Sequence, residues 1–113
     1  MSLPLRGEIW TVDLNPIRGH EQAGRRPCLV ISDDIYNQGP AEKHIVLPLT
    51  SRNKAIPYHL AIQPPEGGLR LLSYVMCDDL RSVSRERFGE RSGVVSSQTL
   101  RLVKENLEIL LGF

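Results

Sequence analysis

The chain has 113 residues, of which 41% are hydrophobic and 24% charged, a composition that predicts one folded domain over residues 1–113 and excludes a disordered segment. Its 14 Lys and Arg residues against 13 Asp and Glu residues give a net charge of +1, which argues against a protein that coats nucleic acid but leaves room for a local basic patch. No apolar run approaches the roughly 20 residues of a membrane span, and the N-terminal residues lack the apolar core of a signal peptide, so we expect a cytoplasmic protein.

The first half of the chain predicts three short strands. Residues 8–14 alternate in polarity and are rich in β-branched and aromatic side chains, which favours a strand. A polar loop over 15–26 follows, and the apolar run 28–32 predicts a buried strand. After a second loop with room for one helical turn, residues 44–50 predict a third strand. We expect it at a sheet edge or a bulge, because Pro48 cannot donate to a ladder.

The second half of the chain predicts further short strands and a single helix. Apolar and β-branched runs predict strand segments at 58–62, 71–77, 80–83 and 90–95. The helix begins after Ser96 or Ser97, both good N-cap residues, and Gly112 is placed to end it. Its leucines and valine recur three and four positions apart, so we expect this stripe to pack into the core. The predicted fold class is therefore mainly β, with one C-terminal helix.

A metal site is not predicted from the sequence. The His residues share no ligand spacing, and Cys28 and Cys77 lie in separate apolar runs outside any CxxC pair. Two reduced, buried thiols are expected in a cytoplasmic protein of this kind. The chain also has no glycine-rich nucleotide loop, so we predict neither a metal nor another cofactor.

Two stretches of the chain are locally basic. The first is the loop that contains Arg18, His20, Glu21, Arg25 and Arg26. Arginine presents a planar fork of donors that matches phosphate oxygens, and histidine can move protons near neutral pH. Composition alone leaves two interpretations open, which are a solvated loop whose charges pair with one another and a phosphate-binding site.

The second basic stretch contains four arginines between residues 81 and 91, opposed by Glu86 and Glu90. It predicts either a solvated surface or a rim that binds the backbone of a nucleic acid with salt-dependent affinity. If the fold brings both basic stretches together across a dimer, a nearly neutral chain presents a basic groove.

Several segments resemble, in this order, the signature of the MazF/PemK/Kid toxin family. They are RGEIW at 6–10, DLNP at 13–16, GHEQ at 19–22, Gly24, RP at 26–27, PLTS at 48–51, CD at 77–78 and LR at 80–81. The resemblance covers nearly the whole chain, and it favours the phosphate-site interpretation of the first basic stretch.

The resemblance implies a small, strongly curved antiparallel sheet close to an SH3-like barrel, with one C-terminal helix, assembled as a homodimer. It also implies the toxin half of a toxin–antitoxin pair, bound by a cognate MazE-like antitoxin. Its substrate would be single-stranded mRNA, cut at specific sequences without a metal ion. The products would carry a 2′,3′-cyclic phosphate and a 5′-hydroxyl.

The resemblance further implies that Arg26 and Thr50 are the central catalytic pair. Arg26 would bind the scissile phosphate and stabilise its developing charge, and Thr50 would donate to a phosphate oxygen. Two roles are open to His20, which are to act as a base and to contact RNA. Two are likewise open to Glu21, which are to accept the 2′-hydroxyl proton and to orient Arg26.

The Kid branch of the family differs from this chain at one informative position. His20 and Asp78 match residues with catalytic roles in that branch, but Met76 stands where the branch has an arginine. This departure favours Arg26 and Thr50 as the catalytic pair. The candidates for RNA contact by position are Gln22, Ser51, Arg52, Ser73, Asp78, Asp79 and Arg81.

Two other functions remain open at the level of the sequence. One is a non-catalytic toxin of the CcdB type, which resembles this family in fold and poisons DNA gyrase by binding it. The other is a catalytically silent relative whose cationic groove only docks an antitoxin peptide. The presence of Arg26 and Thr50 argues against the first of these alternatives.

Overall fold

The computed structural model describes residues 2–15 and 24–113, which form an antiparallel sheet with a helix at the end of the chain. The strands are β1 Glu8–Asp13, β2 Arg25–Val30, β3 Lys43–Thr50, β4 His59–Ile62, β5 Ser73–Met76, β6 Arg81–Ser84 and β7 Phe88–Val94. The helices are α1 Asp34–Asn37 and α2 Ser97–Leu111, and short 3₁₀ turns lie at Glu66–Gly68, Cys77–Asp79 and Arg85–Arg87. Within these ranges, no helix is long and apolar enough to cross a membrane.

The seven strands follow the order β4-β5-β3-β2-β1-β7, and β6 pairs with β3 beside this path. Strand β3 is the branch point, because β6 pairs with its first half and β5 pairs with its last two residues. The path does not close among the described strands, and this open, antiparallel sheet is compatible with an SH3-like barrel. The mainly β fold class with one C-terminal helix is confirmed.

The third strand is expected at a sheet edge or a bulge, and the edge placement is wrong. Strand β3 is central, and Pro48 stands opposite Cys28 of β2. On the other side of β3, the register with β6 ends at Val46 and the register with β5 begins at Leu49. Pro48 therefore falls in the gap between two ladders, where a residue without an N–H is tolerated inside a sheet.

The predicted boundary between the first loop and β2 is also wrong. Arg25 and Arg26, which we expected in the loop, already belong to β2 and stand opposite Asp13 and Val12 of β1. The apolar run marks only the buried part of this strand. Backbone hydrogen bonds with β1 continue into the exposed part, where the side chains are polar.

Apolar side chains fill both faces of the sheet. The cluster on the α2 side consists of Ile9, Leu29, Leu47, Leu49, Ile62, Val75, Cys77, Val95 and Val103. The cluster on the other side consists of Trp10, Val12, Leu14, Cys28, Val30, Val46 and Val83, with Phe88 packed against it. Because successive residues of β2 and β3 contribute to opposite clusters, these strands are uninterrupted apolar runs in the sequence.

Helix α2 begins and ends where the sequence predicts. The Ser96 hydroxyl accepts a hydrogen bond from the backbone N–H of Thr99 at 3.1 Å, and Gly112 ends the helix in the left-handed conformation, with φ of 77°. The apolar stripe packs against the α2-side cluster through Leu100, Val103, Leu107 and Leu110. The predicted core role of the stripe is confirmed for these residues.

A buried polar network joins α1, β3 and the turn Arg85–Arg87. His44 Nδ1 donates to Asn37 Oδ1 at 3.0 Å, and His44 Nε2 accepts from Arg85 Nε at 3.2 Å. Asn37 Nδ2 donates to the Ser32 carbonyl at 2.9 Å. Burial and the neighbouring Arg85 charge lower the pKa of His44 from 6.5 to about 4, so the imidazole is neutral at pH 7.

This network predicts a pH-dependent loss of stability. Between pH 6.5 and about 4, the unfolded chain binds a proton at His44 that the folded chain excludes, so the free energy of unfolding decreases as the pH falls through this range. Urea unfolding followed from about pH 7 to about pH 4 measures the slope. Glutamine does not titrate in this pH range, so the difference in slope between wild type and His44→Gln gives the contribution of His44. Identical slopes for the two proteins would contradict the prediction.

The turn Glu66–Gly68 contacts β7 backbone to backbone. Gly67 and Gly68 both have positive φ, at 67° and 72°. A Cβ on Gly68 would lie 2.0 Å from the Ser92 carbonyl oxygen, and one on Gly93 would lie 2.6 Å from the carbonyl carbon of Gly67. Glycine is required on both sides because no side-chain atom fits between the two backbones.

Candidate active site

A cavity of about 260 Å³ opens where the end of β3 meets the start of β2 and the segment that leads into β5. Its lining residues are Arg26, Pro27, Leu49, Thr50, Ser51, Leu69, Arg70, Leu71 and Ser73. Arg26, Thr50, Ser51 and Ser73 are candidates from the sequence. Strands β2 and β3 pair at Cys28 and Pro48, two residues before Thr50 and two after Arg26, so both residues lie near the same end of the two strands. The fold thus brings both halves of the predicted catalytic pair to one cavity.

Thr50 is held at the last position of β3. Its backbone pairs with Tyr74 of β5, and the residue is only 7% exposed. Its hydroxyl oxygen accepts a hydrogen bond from the backbone N–H of Arg52 at 3.2 Å. Because this bond uses a lone pair, the hydroxyl proton remains available for an acceptor such as a phosphate oxygen.

Ser73 faces the same cavity with a different hydrogen-bonding capacity. It is 6% exposed, and its hydroxyl donates to the Leu71 carbonyl at 3.0 Å. The proton of Ser73 is therefore engaged, and the oxygen can only accept from a ligand without breaking this bond. Ser51 is exposed at the rim, and Arg52 is also exposed in the loop that follows β3.

Arg70 also lines the cavity and was not predicted from the sequence. Its signal in the sequence is weak, since it is a single arginine between Leu69 and Leu71 after a glycine turn. Among the described lining residues there are two arginines and no acidic residue, which makes the cavity suited to an anion such as phosphate.

Asp78, Asp79 and Arg81 do not line this cavity. Asp78 and Asp79 lie in the turn that follows β5, whereas Ser73 lies at the start of that strand. The Asp78 carboxylate accepts from His59 Nε2 at 2.7 Å, a pair that the sequence does not predict. Arg81 pairs with Val46, and its Nη1 is buried without a hydrogen-bond partner in the described part of the chain, which limits its reach towards RNA.

His20, Glu21 and Gln22 lie outside the described residues. The roles proposed for them as base, orienting residue or RNA contact stay predictions.

The second basic stretch is largely engaged within the protein. Arg85 donates to His44, as described above, and Arg91 Nε donates to a Glu8 carboxylate oxygen at 2.8 Å. Arg87 Nη1 donates to the Asp13 carbonyl at 3.2 Å and also to the Asn15 carbonyl. These bonds favour a structural role for the arginines over a rim that binds the nucleic acid backbone.

The cysteines are free and buried, and neither lines the cavity. Burial raises the pKa of Cys28 to about 12, an effect that the nearby Arg81 charge partly offsets, and burial also raises the pKa of Cys77. Both are therefore unreactive thiols at neutral pH. No group of three or more His, Cys, Asp or Glu residues within 2–15 and 24–113 could hold a metal ion.

Comparison with known proteins identifies the class to which this fold and cavity belong. Residues 5–111 match the family described as PemK-like, MazF-like toxin of type II toxin-antitoxin system. The endoribonuclease toxin MazF of Escherichia coli K12 is 29% identical over 111 residues, which span 97% of this chain and 96% of the relative. Endoribonuclease MazF9 of Mycobacterium tuberculosis is 33% identical over 111 residues, with 94% of each chain covered.

Solved structures of MazF toxins are also similar to this chain. MazF from Deinococcus radiodurans superposes with a TM-score of 0.89 at 32% identity, with all of both chains covered. An endoribonuclease in complex with its cognate antitoxin, from a mycobacterial species, has a TM-score of 0.78 at 25% identity, covering 100% of this chain and 97% of the other. The chain belongs to the PemK-like, MazF-like family of toxins of type II toxin–antitoxin systems. It is an endoribonuclease toxin of the MazF type.

Proposed function

We propose that this toxin cleaves single-stranded mRNA at specific sequences, with the 2′-hydroxyl of the RNA as nucleophile and without a metal ion. The observation that carries the proposal is the convergence of Arg26 and Thr50 on one cavity, lined among the described residues by two arginines and no carboxylate. Such a site supplies positive charge and a hydroxyl donor to a phosphate.

The residues of the cavity match the needs of this reaction. When the 2′-oxygen attacks phosphorus, negative charge grows on the non-bridging oxygens, where Arg26 and the Thr50 hydroxyl would bind. The bond to the 5′-oxygen then breaks, which leaves a 2′,3′-cyclic phosphate and a 5′-hydroxyl. Arg26 itself is a poor base, because a guanidinium gives up its proton only reluctantly. His20 and Glu21 are our candidates for the proton transfers, with either one as base.

We also propose that the toxin is a homodimer and that a MazE-like antitoxin binds it. A MazE–MazF complex from Deinococcus radiodurans supports the binding of an antitoxin, since its matched chain has a TM-score of 0.81 at 26% identity and covers 100% of this chain. The mycobacterial complex of an endoribonuclease with its cognate antitoxin supports it in the same way.

Cleavage of a long RNA in the presence of EDTA tests the proposed chemistry. We expect the same cuts with and without the chelator, and upstream fragments that end in a 2′,3′-cyclic phosphate. An oligonucleotide with one mapped site and 2′-deoxyribose at the attacking position is the matched control, and it should stay intact. Cleavage that requires added Mg²⁺, or that proceeds through the deoxy position, would rule out this mechanism.

The same preparation separates the proposal from its alternatives. Trapping of DNA gyrase on DNA together with intact RNA would indicate a toxin of the CcdB type. Tight binding of an antitoxin peptide without any cleavage of RNA would indicate a catalytically silent relative.

A further inference from the structure

His59 and Asp78 form a pair that lies apart from the cavity with Arg26 and Thr50. His59 Nε2 and Asp78 Oδ1 are 2.7 Å apart. The imidazole is 4% exposed and the carboxylate is 40% exposed, so a buried side chain holds an exposed one. Among the described residues, His59 Nδ1 is buried and has no hydrogen-bond partner.

The unpartnered nitrogen indicates which form of His59 the site favours. An N–H at Nδ1 would be a buried donor without an acceptor, whereas a bare nitrogen there leaves only a weak acceptor unsatisfied. A proton on Nε2 and none on Nδ1 meets this condition, and Nε2–H then donates to Asp78. Asp78 thus receives one fixed hydrogen bond and keeps lone pairs for a ligand on its exposed side.

Backbone and helix contacts hold both partners in place. The His59 N–H donates to the Ile56 carbonyl at 3.0 Å, which closes the loop 51–58 onto the start of β4. Asn106 of α2 donates to the Tyr58 carbonyl at 3.5 Å and to Cys77 Sγ at 3.8 Å, so one amide contacts the residue before each partner. The pair therefore fixes Asp78 beside the loop 51–58.

We infer that His59 is a positioning residue that orients the Asp78 carboxylate to accept a hydrogen bond from the amino group of one unpaired RNA base beside the loop 51–58. This inference rests on the proposed function. An oriented carboxylate accepts from the exocyclic amino group of cytosine, adenine or guanine, and unpaired bases expose these edges. Uracil has no amino group and offers only its ring N3–H as a donor. His59 acts only through Asp78 and does not touch the reacting phosphate.

Cleavage kinetics on RNA substrates that differ at one base test the inference. We expect Asp78→Ala and His59→Leu to lose the preference for cytosine or adenine over uracil at the same substrate position, by roughly 10- to 100-fold, the range for one hydrogen bond to a charged group. We expect His59→Gln to keep most of the base preference, because the glutamine amide can donate to Asp78 from nearly the same place. Glu90→Gln, an exposed carboxylate on β7, is the matched control and should cleave as the wild type does.

Asp78→Asn gives a second, sharper test that leaves the buried imidazole in place. His59 then donates to the amide oxygen, so the NH₂ group faces the base and the preference inverts towards uracil, whose O4 accepts. In the double variant with His59→Leu, the amide can turn freely, and we expect no preference at that position. Thermal unfolding of each variant identifies any that fail to fold.

Three results would overturn the inference. The first is that His59→Leu slows cleavage of all substrates equally. The second is that His59→Leu changes the base preference at a different substrate position from the one that Asp78→Ala changes. The third is that Asp78→Asn leaves the base preference unchanged. Each of these leaves the proposed nuclease intact, whereas wild-type protein that cuts no RNA would overturn the proposed function and this inference together.

Discussion

Arg26→Ala is expected to slow RNA cleavage by roughly 100- to 1,000-fold, the range for removal of one group that stabilises transition-state charge. Arg26 lines the cavity together with Thr50 and is an exposed residue, so we expect the variant to fold. Single-turnover cleavage of an oligonucleotide with one mapped site measures the loss, because it excludes product release from the observed rate. Arg26→Lys, which keeps the charge but not the planar fork, should recover only part of the rate.

Arg25→Ala is the matched control for this prediction. Arg25 precedes Arg26 in β2 and is equally exposed, but it lines a different cavity with Asp13 and Arg87. Both variants remove one positive charge, so any effect of net charge on RNA association is the same. Equal losses of rate would mean that Arg26 contributes only general attraction, and the catalytic assignment would be wrong.

Gly93→Ala is expected to destabilise the fold by about 3 kcal/mol or more. The new Cβ would lie 2.6 Å from the carbonyl carbon of Gly67 and 2.7 Å from the nitrogen of Gly68, so backbone would have to move against backbone. Gly93 also stands opposite Ile9 in the pairing of β7 with β1, which limits that movement. Urea unfolding at neutral pH measures the difference in free energy.

Gly89→Ala supplies the comparison within the same strand. A Cβ there would meet the end of the flexible Arg25 side chain at 3.2 Å and the Thr11 carbonyl oxygen at 3.4 Å, contacts that small shifts relieve. We expect a loss below about 1 kcal/mol. If the two variants unfold at the same urea concentration, the contact between the turn and β7 does not limit the stability of the sheet.

Local signals in the sequence predict the fold where a single element determines the pattern. The Ser96 cap, the spacing of leucines in α2 and the alternation in β1 each depend on neighbours within a few residues. The position of β3 depends instead on which strands lie on either side, and Pro48 is tolerated because of a change of partner that no local pattern records. For the same reason, the first residues of β2 were assigned to a loop.

The sequence likewise predicts some residues of the candidate site and misses others. Arg26 and Thr50 were predicted from motif resemblance, and the fold brings both residues to one cavity. Arg70 and the His59–Asp78 pair were missed, because each is defined by a contact between segments that no spacing in the sequence reveals. For the second basic stretch the sequence leaves two interpretations open, and in the fold its arginines bond to separate partners.

Because β3 changes partners along its length, Arg26 and Asp78 lie in different parts of the sheet structure. Arg26 lies in β2 and pairs with β1, whereas Asp78 and the loop 51–58 adjoin β4 and β5. Of these two strands only β5 pairs with β3, at its last two residues. If Asp78 contacts a base as proposed, substitutions and length changes in that smaller unit would alter base preference without moving Arg26. A toxin built in this way could acquire new target sequences while it keeps its arginine in place.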